Sequence, residues 1–315
     1  MTTRSTQEPS LTAVTIGNFD GVHLGHASLV RACREHAGSS GRVVALAFDP
    51  HPFSTLAPGK CPPRLTSFDE RADRLRSLGV DQVIQLHPTP ELLGLNPQEF
   101  IDRVVMPLRP TALVEGDDFH FGRARSGNTR VLAELGLSRG FGVMVCPAVE
   151  VGLDGQWLVR ASSTVARWLI SHGRVADAAR VLGRPFSVRG QVTRGDQRGR
   201  SIGYRTANIS TDQVLPADGV YAGRLDHDGR SYPAAISVGT RPTFNGATSR
   251  VEAHAMNPDG TPATLPDAYD WLAVVTFDRW VRDDLRFDGV ESLRGQIDRD
   301  ARRCLNLLAS LTTTG

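Results

Sequence analysis

Short apolar runs alternate with amphipathic stretches through the first half of the chain. LTAVTIG (11–17), VVALAF (43–48), QVIQL (82–86), ALVEG (112–116) and GVMVCP (142–147) are nearly unbroken in their hydrophobicity. Runs of that length and character read as strands buried on both faces, as in parallel sheets. Between them LGHASLVRACREHA (24–37), SFDERADRLRSLG (67–79), NPQEFIDRVVMPL (96–108) and NTRVLAELGLSRG (128–140) carry helical periodicity. SFDE has the form of a capping box, and Gly79 stops that helix. Regular alternation of strand and helix predicts a doubly wound α/β sheet, which binds ligands at the carboxyl ends of its strands where strand order reverses. Two more helical segments follow, SSTVARWLISHG (162–173) and VADAARVLG (175–183).

Beyond Gly183 the pattern changes. RPFSVRGQVTRG, GVYAGRLDHDG, RSYPAAISVGT, RVEAHAMN and DWLAVVTFDRWV read as strands separated by Gly, Pro and Asp turns. The last stretch, GVESLRGQIDRDARRCLNLLAS, is expected to be a helix with Val290, Leu293, Ile297, Ala301 and Leu305 on one face. Strands closing into a barrel and followed by a helix are the economical arrangement. The domain boundary is expected near Leu182–Arg184, giving domains over 1–183 and 184–315.

Composition alters this picture little. The 315 residues are 40% hydrophobic and 22% charged, as in ordinary globular domains. No apolar run approaches membrane-spanning length, and MTTRSTQEPS lacks the apolar core of a signal peptide, so a cytoplasmic protein is expected. Cys33, Cys61, Cys146 and Cys304 are scattered, which argues against a disulfide framework or a zinc site. Of 36 basic residues only Lys60 is lysine, but the formal net charge is +2 and acidic residues are interleaved throughout. Codon preference accounts for such a skew, and a nucleic-acid partner is not expected.

Candidate chemistry begins directly after the first strand, in GNFDGVHLGH (17–26). Gly17 and Gly21 allow backbone to approach a phosphate, and Gly25 allows helix and ligand to pack closely. His23 and His26 share a face at the helix start, where two imidazoles can donate to nucleotide oxygens as charge builds in a transition state. One such histidine is more often a packed or surface residue; two, with glycines, after the first strand favour phosphate chemistry. Neither a Walker A loop nor a G-x-G-x-x-G fingerprint occurs.

GNFDGVHLGH resembles the G-x-FDG-x-H-x-GH signature of bacterial FMN adenylyltransferases, a branch of the HxGH nucleotidyltransferases. AFDPHP (47–52) resembles that family's FDPHP block, VEGDDFHFGRARSGN (114–128) its VGxDFxFGxxRxGD block, and SSTVAR (162–167) its SSTRIR. In the second half GDQRGRSIGYRTANI, LPADGVYAG, ISVGTRPTFNG and RVEAH resemble riboflavin kinase. The order of the halves matches the bifunctional riboflavin kinase/FMN adenylyltransferase, or FAD synthetase, family. The resemblance implies a Rossmann-like HxGH nucleotidyltransferase domain followed by a riboflavin-kinase-type antiparallel β-barrel with a C-terminal helix. It implies ATP and Mg²⁺, with FMN and FAD as substrate and product. In the first half it assigns Gly17, Phe19, His23, Gly25, His26, Ser162, Ser163, Thr164 and Arg167 to ATP and its chemistry, and His51, Asp118 and Phe119 to the flavin. In the second half Glu252 matches the catalytic carboxylate, and Thr206 and Asn208 match the residues that hold Mg²⁺ and ATP. By residue type alone, Glu252 would equally suit the outer face of a strand, and Thr206 and Asn208 a turn.

Four positions depart from the family pattern: Arg205 for the proline of Pro-Thr-Ala-Asn, Asn257 for an aspartate, the Pro-rich 258–270 in place of Leu-Tyr-Gly, and Val165 for the first arginine of SSTRIR. Losing a charge-assisted contact in a transition state costs ~2–4 kcal/mol. The departures leave room for a diverged paralogue that acts as a nucleotidyltransferase on FMN or another, modified acceptor with an impaired or non-catalytic kinase half, and for a non-catalytic flavin or nucleotide sensor. Whether chains associate into homo-oligomers is open at this stage.

Overall fold

The computed structural model describes residues 11–194, 206–243, 246–266, 268–285 and 287–312. The chain divides into two compact units, residues 1–151 with 160–163 and residues 152–159 with 164–315.

The first unit is built on five parallel strands: β1 (Thr12–Gly17), β2 (Arg42–Phe48), β3 (Gln82–Leu86), β4 (Ala112–Gly116) and β5 (Gly142–Cys146). These are the five apolar runs of the sequence. Their order is β3-β2-β1-β4-β5, so chain direction across the sheet reverses between β1 and β4. The central strands β2, β1 and β4 are buried on both faces, which is why they lack polar alternation, whereas the edge strands β3 and β5 are partly exposed, Met144 and Val145 among their residues. Val14, Val44, Leu46 and Leu113 pack with Phe100, Ile101 and Leu132 on one face. Ala13, Val43, Ala45 and Val114 pack with Val30, Cys33 and Leu75 on the other.

Helices α1 (Leu24–Ala37), α2 (Phe68–Ser77) and α3 (Thr129–Arg139) connect the strands. The capping box at α2 forms: Ser67 Oγ accepts from Glu70 N–H, and the Glu70 carboxylate accepts from Ser67 N–H at 2.8 Å. The expected helix over 96–108 forms as one right-handed helical segment whose hydrogen-bond spacing changes, from an α turn (Pro97–Phe100) through a wider π turn (Ile101–Val105) to a 3₁₀ turn (Met106–Leu108), with helical dihedrals at both junctions. Pro107 has no N–H for the helical ladder and crowds the preceding turn, which disturbs the regular spacing near the end.

Helix α4 (Ser163–Ser171) starts at the last residue of the first unit and runs on within the second, where α5 (Val175–Leu182) follows. The second unit is a closed barrel of six strands, β6 (Phe186–Thr193), β7 (Ala207–Ser210), β8 (Gly219–His227), β9 (Arg230–Thr243), β10 (Gly246–Ala255) and β11 (Leu272–Arg282). Every neighbouring pair is antiparallel, and the order is β6-β7-β10-β9-β8-β11. Tyr221, Leu225, Ile236, Val251, Val275 and Phe277 are fully buried.

The C-terminal helix, α6 (Val290–Thr312), packs Ala301, Cys304 and Leu308 against Val220, Ala222, Met256 and Val281. Its buried face is therefore set by Ala301, Cys304 and Leu308, with Leu305 partly buried, whereas Val290 is 57% exposed. The expected stripe fails at the helix's first turn, because apolar character alone does not bury a residue where no strand lies beneath it. All four cysteines are free. Among the described residues no helix is long and apolar enough to cross a membrane.

Candidate active sites

Three blocks singled out in the sequence follow the carboxyl ends of adjacent strands. Residues 17–26 leave β1, residues 47–52 leave β2, and residues 114–128 leave β4. Parallel pairing puts these ends on one edge of the sheet, at the point of strand-order reversal.

The β1–α1 loop is conformationally costly. Phe19, Gly21 and Val22 have φ of 49°, 79° and 42°. Glycine tolerates this; a β-branched valine rarely does. Neighbouring groups hold the loop. The Asp20 carboxylate accepts from Leu65 N–H at 3.0 Å, Thr66 N–H at 3.0 Å and the Thr66 hydroxyl at 3.1 Å. Thr66 Oγ1 in turn accepts from Gly21 N–H at 3.0 Å. Buried Arg71 donates to Asn18 O at 2.7 Å and Phe48 O at 3.0 Å and pairs with the Asp49 carboxylate. One guanidinium therefore joins the loops that follow β1 and β2.

This scaffold presents the two histidines at the first turn of α1. Their rings stack with centroids 3.6 Å apart and 26° between planes. His26 Nδ1 accepts from His23 N–H at 3.3 Å, and Phe19 meets the His26 ring edge-on at 5.1 Å. His23 is buried and His26 half-buried. Gly25 is required by close approach: a Cβ there would lie 3.0 Å from the His23 ring and 3.2 Å from Ala161 O. Ser163 reaches the same loop, where its hydroxyl donates to Asp20 O at 2.7 Å. Ser162 precedes it, half-buried, while Thr164 and Arg167 lie one and four residues farther along α4, in the second unit.

Of the other first-half candidates, His51 Nδ1 accepts from Phe53 N–H at 3.1 Å, with the two rings edge-to-face at 5.2 Å. Asp118 is ion-paired with Arg160 at 2.9 Å, and the same guanidinium lies 2.5 Å from Asp117. Phe119 stacks on Phe121 at 5.5 Å. Sequence reasoning missed Asp20, Thr66, Arg71 and Arg160. Asp20 was visible inside the FDG motif; Arg71, in the charged run FDERADRLRS, has the look of a solvated helix residue.

In the barrel Thr193, Asn208, Glu252 and Ser237 lie directly opposite one another on four neighbouring strands. Directly paired residues share a face, so these four form a polar row. Val251 and Ala253, flanking Glu252, are fully buried and point the other way. Asn208 therefore sits in a strand, not in the turn its residue type would suit. Thr206 Oγ1 donates to Glu252 Oε2 at 3.4 Å, and Arg250 lies 3.2 Å from Glu252 Oε1. Among the described residues nothing donates to the buried Asn208 Oδ1. Arg205 lies outside the described residues. Asn257 belongs to a compact turn in which its amide donates to Thr261 Oγ1 at 2.9 Å and Pro262 O at 3.3 Å. Val165 is half-buried on α4.

A paired-histidine loop at the switch point of a parallel sheet, joined in one chain to an antiparallel barrel, defines a two-domain transferase of nucleotidyltransferase and flavokinase type. The profile of the FAD synthetase family matches residues 5–156, and that of riboflavin kinase matches residues 182–308. The bifunctional riboflavin kinase/FMN adenylyltransferase of Escherichia coli K12 is 35% identical over 291 residues, 91% of this chain and 90% of that protein. The protein of the same description from Pseudomonas fluorescens is 36% identical over 299 residues, 94% of this chain and 92% of its own length. The chain belongs to the bifunctional riboflavin kinase/FMN adenylyltransferase family, with both of its domains present. A crystal structure from Streptococcus pneumoniae, described as a macrolide-efflux protein, has the same fold, with a TM-score of 0.83 at 29% identity over 94% of each chain.

Proposed function

We propose that this chain, in the cytoplasm, phosphorylates riboflavin to FMN in its C-terminal domain, residues 184–315, and adenylylates FMN to FAD in its N-terminal domain, residues 1–183. ATP serves both steps, and the second releases pyrophosphate. The observation that carries the reading is the stacked His23–His26 pair at 3.6 Å, on the first turn of α1 and next to the sheet's switch point.

In the adenylyl transfer the attacking group is a phosphate oxygen of FMN that is already anionic, so the site needs no base. It needs alignment and charge stabilisation. His23 and His26 donate to ATP phosphate oxygens, with the helix terminus contributing partial positive charge. Gly17, Phe19 and Gly25 shape the ground beneath the nucleotide. Ser162, Ser163, Thr164 and Arg167 bind its phosphates, and His51, Asp118 and Phe119 face the flavin.

In the kinase step the nucleophile is a neutral ribityl hydroxyl, and a base assists it. Glu252 takes that proton while Arg250, 3.2 Å away, holds its carboxylate in place. Hydroxyl and amide oxygens are the hard donors that Mg²⁺ prefers. The buried Asn208 Oδ1, to which no described residue donates, and the Thr206 hydroxyl, two residues earlier in the chain, fit that role. Thr206 and Asn208 would hold a Mg²⁺ that neutralises charge on the ATP phosphates.

The test is to incubate the purified full chain with ATP and Mg²⁺, starting once from riboflavin and once from FMN, and to separate the flavins by chromatography. FMN and then FAD are expected from riboflavin, and FAD from FMN. Absence of any new flavin in both incubations overturns the reading; FAD from FMN alone would leave the barrel as a non-catalytic module.

A further inference from the structure

The two strands that flank the switch point part company before they end. β1 and β4 are paired only at Ala13↔Ala112 and Val14↔Leu113. β1 stays in register with β2 as far as Gly17, and β4 with β5 as far as Gly116. Beyond Val14, then, β1 still has a partner on one side but has lost the β4 backbone on the other. Glu115 supplies the missing acceptor. Its Oε1 takes the Ile16 N–H at 2.8 Å, and the residue is 1% exposed.

A carboxyl in that position pays a large desolvation cost as an anion. Burial holds its pKa well above the usual carboxylate range, against the smaller opposing effect of the Ile16 N–H. Cys33 on α1 and Cys146 on β5 are the titratable neighbours of Glu115, and burial pushes both thiols up as well. Glu115 stands immediately before Gly116, the last residue of β4.

We propose that Glu115 is a positioning residue for the histidine pair: its carboxyl, replacing a backbone carbonyl of β4, fixes where β1 ends and so where the imidazoles stand. The coupling runs through contiguous contacts. Ile16 leads into Gly17, and a Cβ on Gly17 would touch the Phe19 ring at 3.4 Å. Phe19 meets His26 edge-on at 5.1 Å, and His26 stacks on His23 at 3.6 Å. Without the carboxyl either Ile16 N–H is left buried and unpaired or the strands close up, and both outcomes move the platform beneath Phe19. The kinetic part of this claim rests on the proposed adenylyl transfer.

The experiment compares wild type, Glu115→Gln and Glu115→Val as full chains. FMN adenylylation is followed with ATP varied, riboflavin phosphorylation serves as the internal control, and His23 and His26 ring resonances are recorded by NMR. Glu115→Gln keeps a side-chain oxygen for Ile16 N–H and is expected to match wild type within about twofold. Glu115→Val is expected to lower kcat for adenylylation about tenfold, leave riboflavin phosphorylation within about twofold, and shift the resonances of both histidines. Wild-type kinetics and unmoved histidine resonances in Glu115→Val overturn the proposal, whatever the change in thermal stability. Equal damage in Glu115→Gln and Glu115→Val overturns it too. Should wild type make no FAD, the functional reading fails on its own, and the resonances alone decide the positioning claim.

Discussion

The two candidate sites are built in opposite ways. Around the histidine loop, side chains and backbone from distant segments tie the turn down: Asp20 takes three donors from Leu65 and Thr66, Arg71 spans two loops, and Ser163 reaches Asp20 O. On the barrel a polar row lies along strand faces, and one of its oxygens, Asn208 Oδ1, has no donor among the described residues. The first site stores conformational strain at Phe19 and Val22 and spends contacts to hold it. The second rests on regular antiparallel strands, and Asn208 Oδ1 is the oxygen proposed to meet the cation. The difference follows the proposed chemistry. A transfer to an anionic phosphate is accelerated by fixed donors, whereas a transfer to an alcohol requires a base and benefits from a cation.

The strongest way to break this contrast is a crossed pair of substitutions. His26→Ala should lower FMN adenylylation by about 10²–10³-fold and leave riboflavin phosphorylation within about twofold. Glu252→Gln should lower phosphorylation by about 10²–10⁴-fold and leave adenylylation intact. Steady-state assays of both reactions on both variants decide it; either variant losing both reactions together would show that the sites are not separable. Next in size is the cost of untying the loop. Asp20→Ala leaves the Leu65 and Thr66 N–H groups and the Thr66 hydroxyl buried without their acceptor, at roughly 1–3 kcal/mol for each group not rescued by water. Denaturant unfolding should show a loss of about 3 kcal/mol. The barrel offers the opposite case. Asn208→Ala removes an oxygen that bonds to nothing described, so stability should hold while the Mg²⁺ concentration for half-maximal kinase rate rises at least about tenfold, equivalent to ~1.4 kcal/mol. Loss of stability without a shift in Mg²⁺ dependence would make Asn208 a structural residue.

The parts of the molecule legible in the sequence were those where one local rule acts alone. The central sheet strands could be read because burial on both faces leaves them almost wholly apolar, the edge strands because their runs are short and mostly apolar, and α2 from its Ser67–Glu70 box. The histidine pair stood out because glycines and imidazoles cluster directly after the first strand. What could not be read depends on partners distant in sequence. Ala207–Ser210 is a strand of four residues containing Asn and Ser, and only pairing with β6 and β10 makes it one. Arg71 is buried because two carbonyls and Asp49 converge on it, which no periodicity reveals. Glu115 sits within ALVEG, a run that reads as apolar strand, and its role depends on a gap between strands nearly 100 positions apart in sequence.

The smallest effect sharpens the same contrast at a departure from the family pattern. Asn257 stands where relatives of the resembled family carry aspartate, beside the barrel's polar row in sequence but engaged in its own turn. Its amide donates to Thr261 Oγ1 and Pro262 O, Thr261 N–H donates to Asp259, and Gly260 takes φ of 87° to close the turn. A carboxylate cannot donate to Pro262 O, and it would add negative charge close to Asp259. Asn257→Asp should therefore cost about 1 kcal/mol in stability, read by thermal or denaturant unfolding. It should change kcat and KM for riboflavin by no more than about threefold, because the residue serves the turn and not the row formed by Thr193, Asn208, Glu252 and Ser237. A tenfold gain in phosphorylation on restoring the aspartate would instead place this position among the groups that act on the substrate, and would extend the barrel site beyond its strand faces into the 257–262 turn.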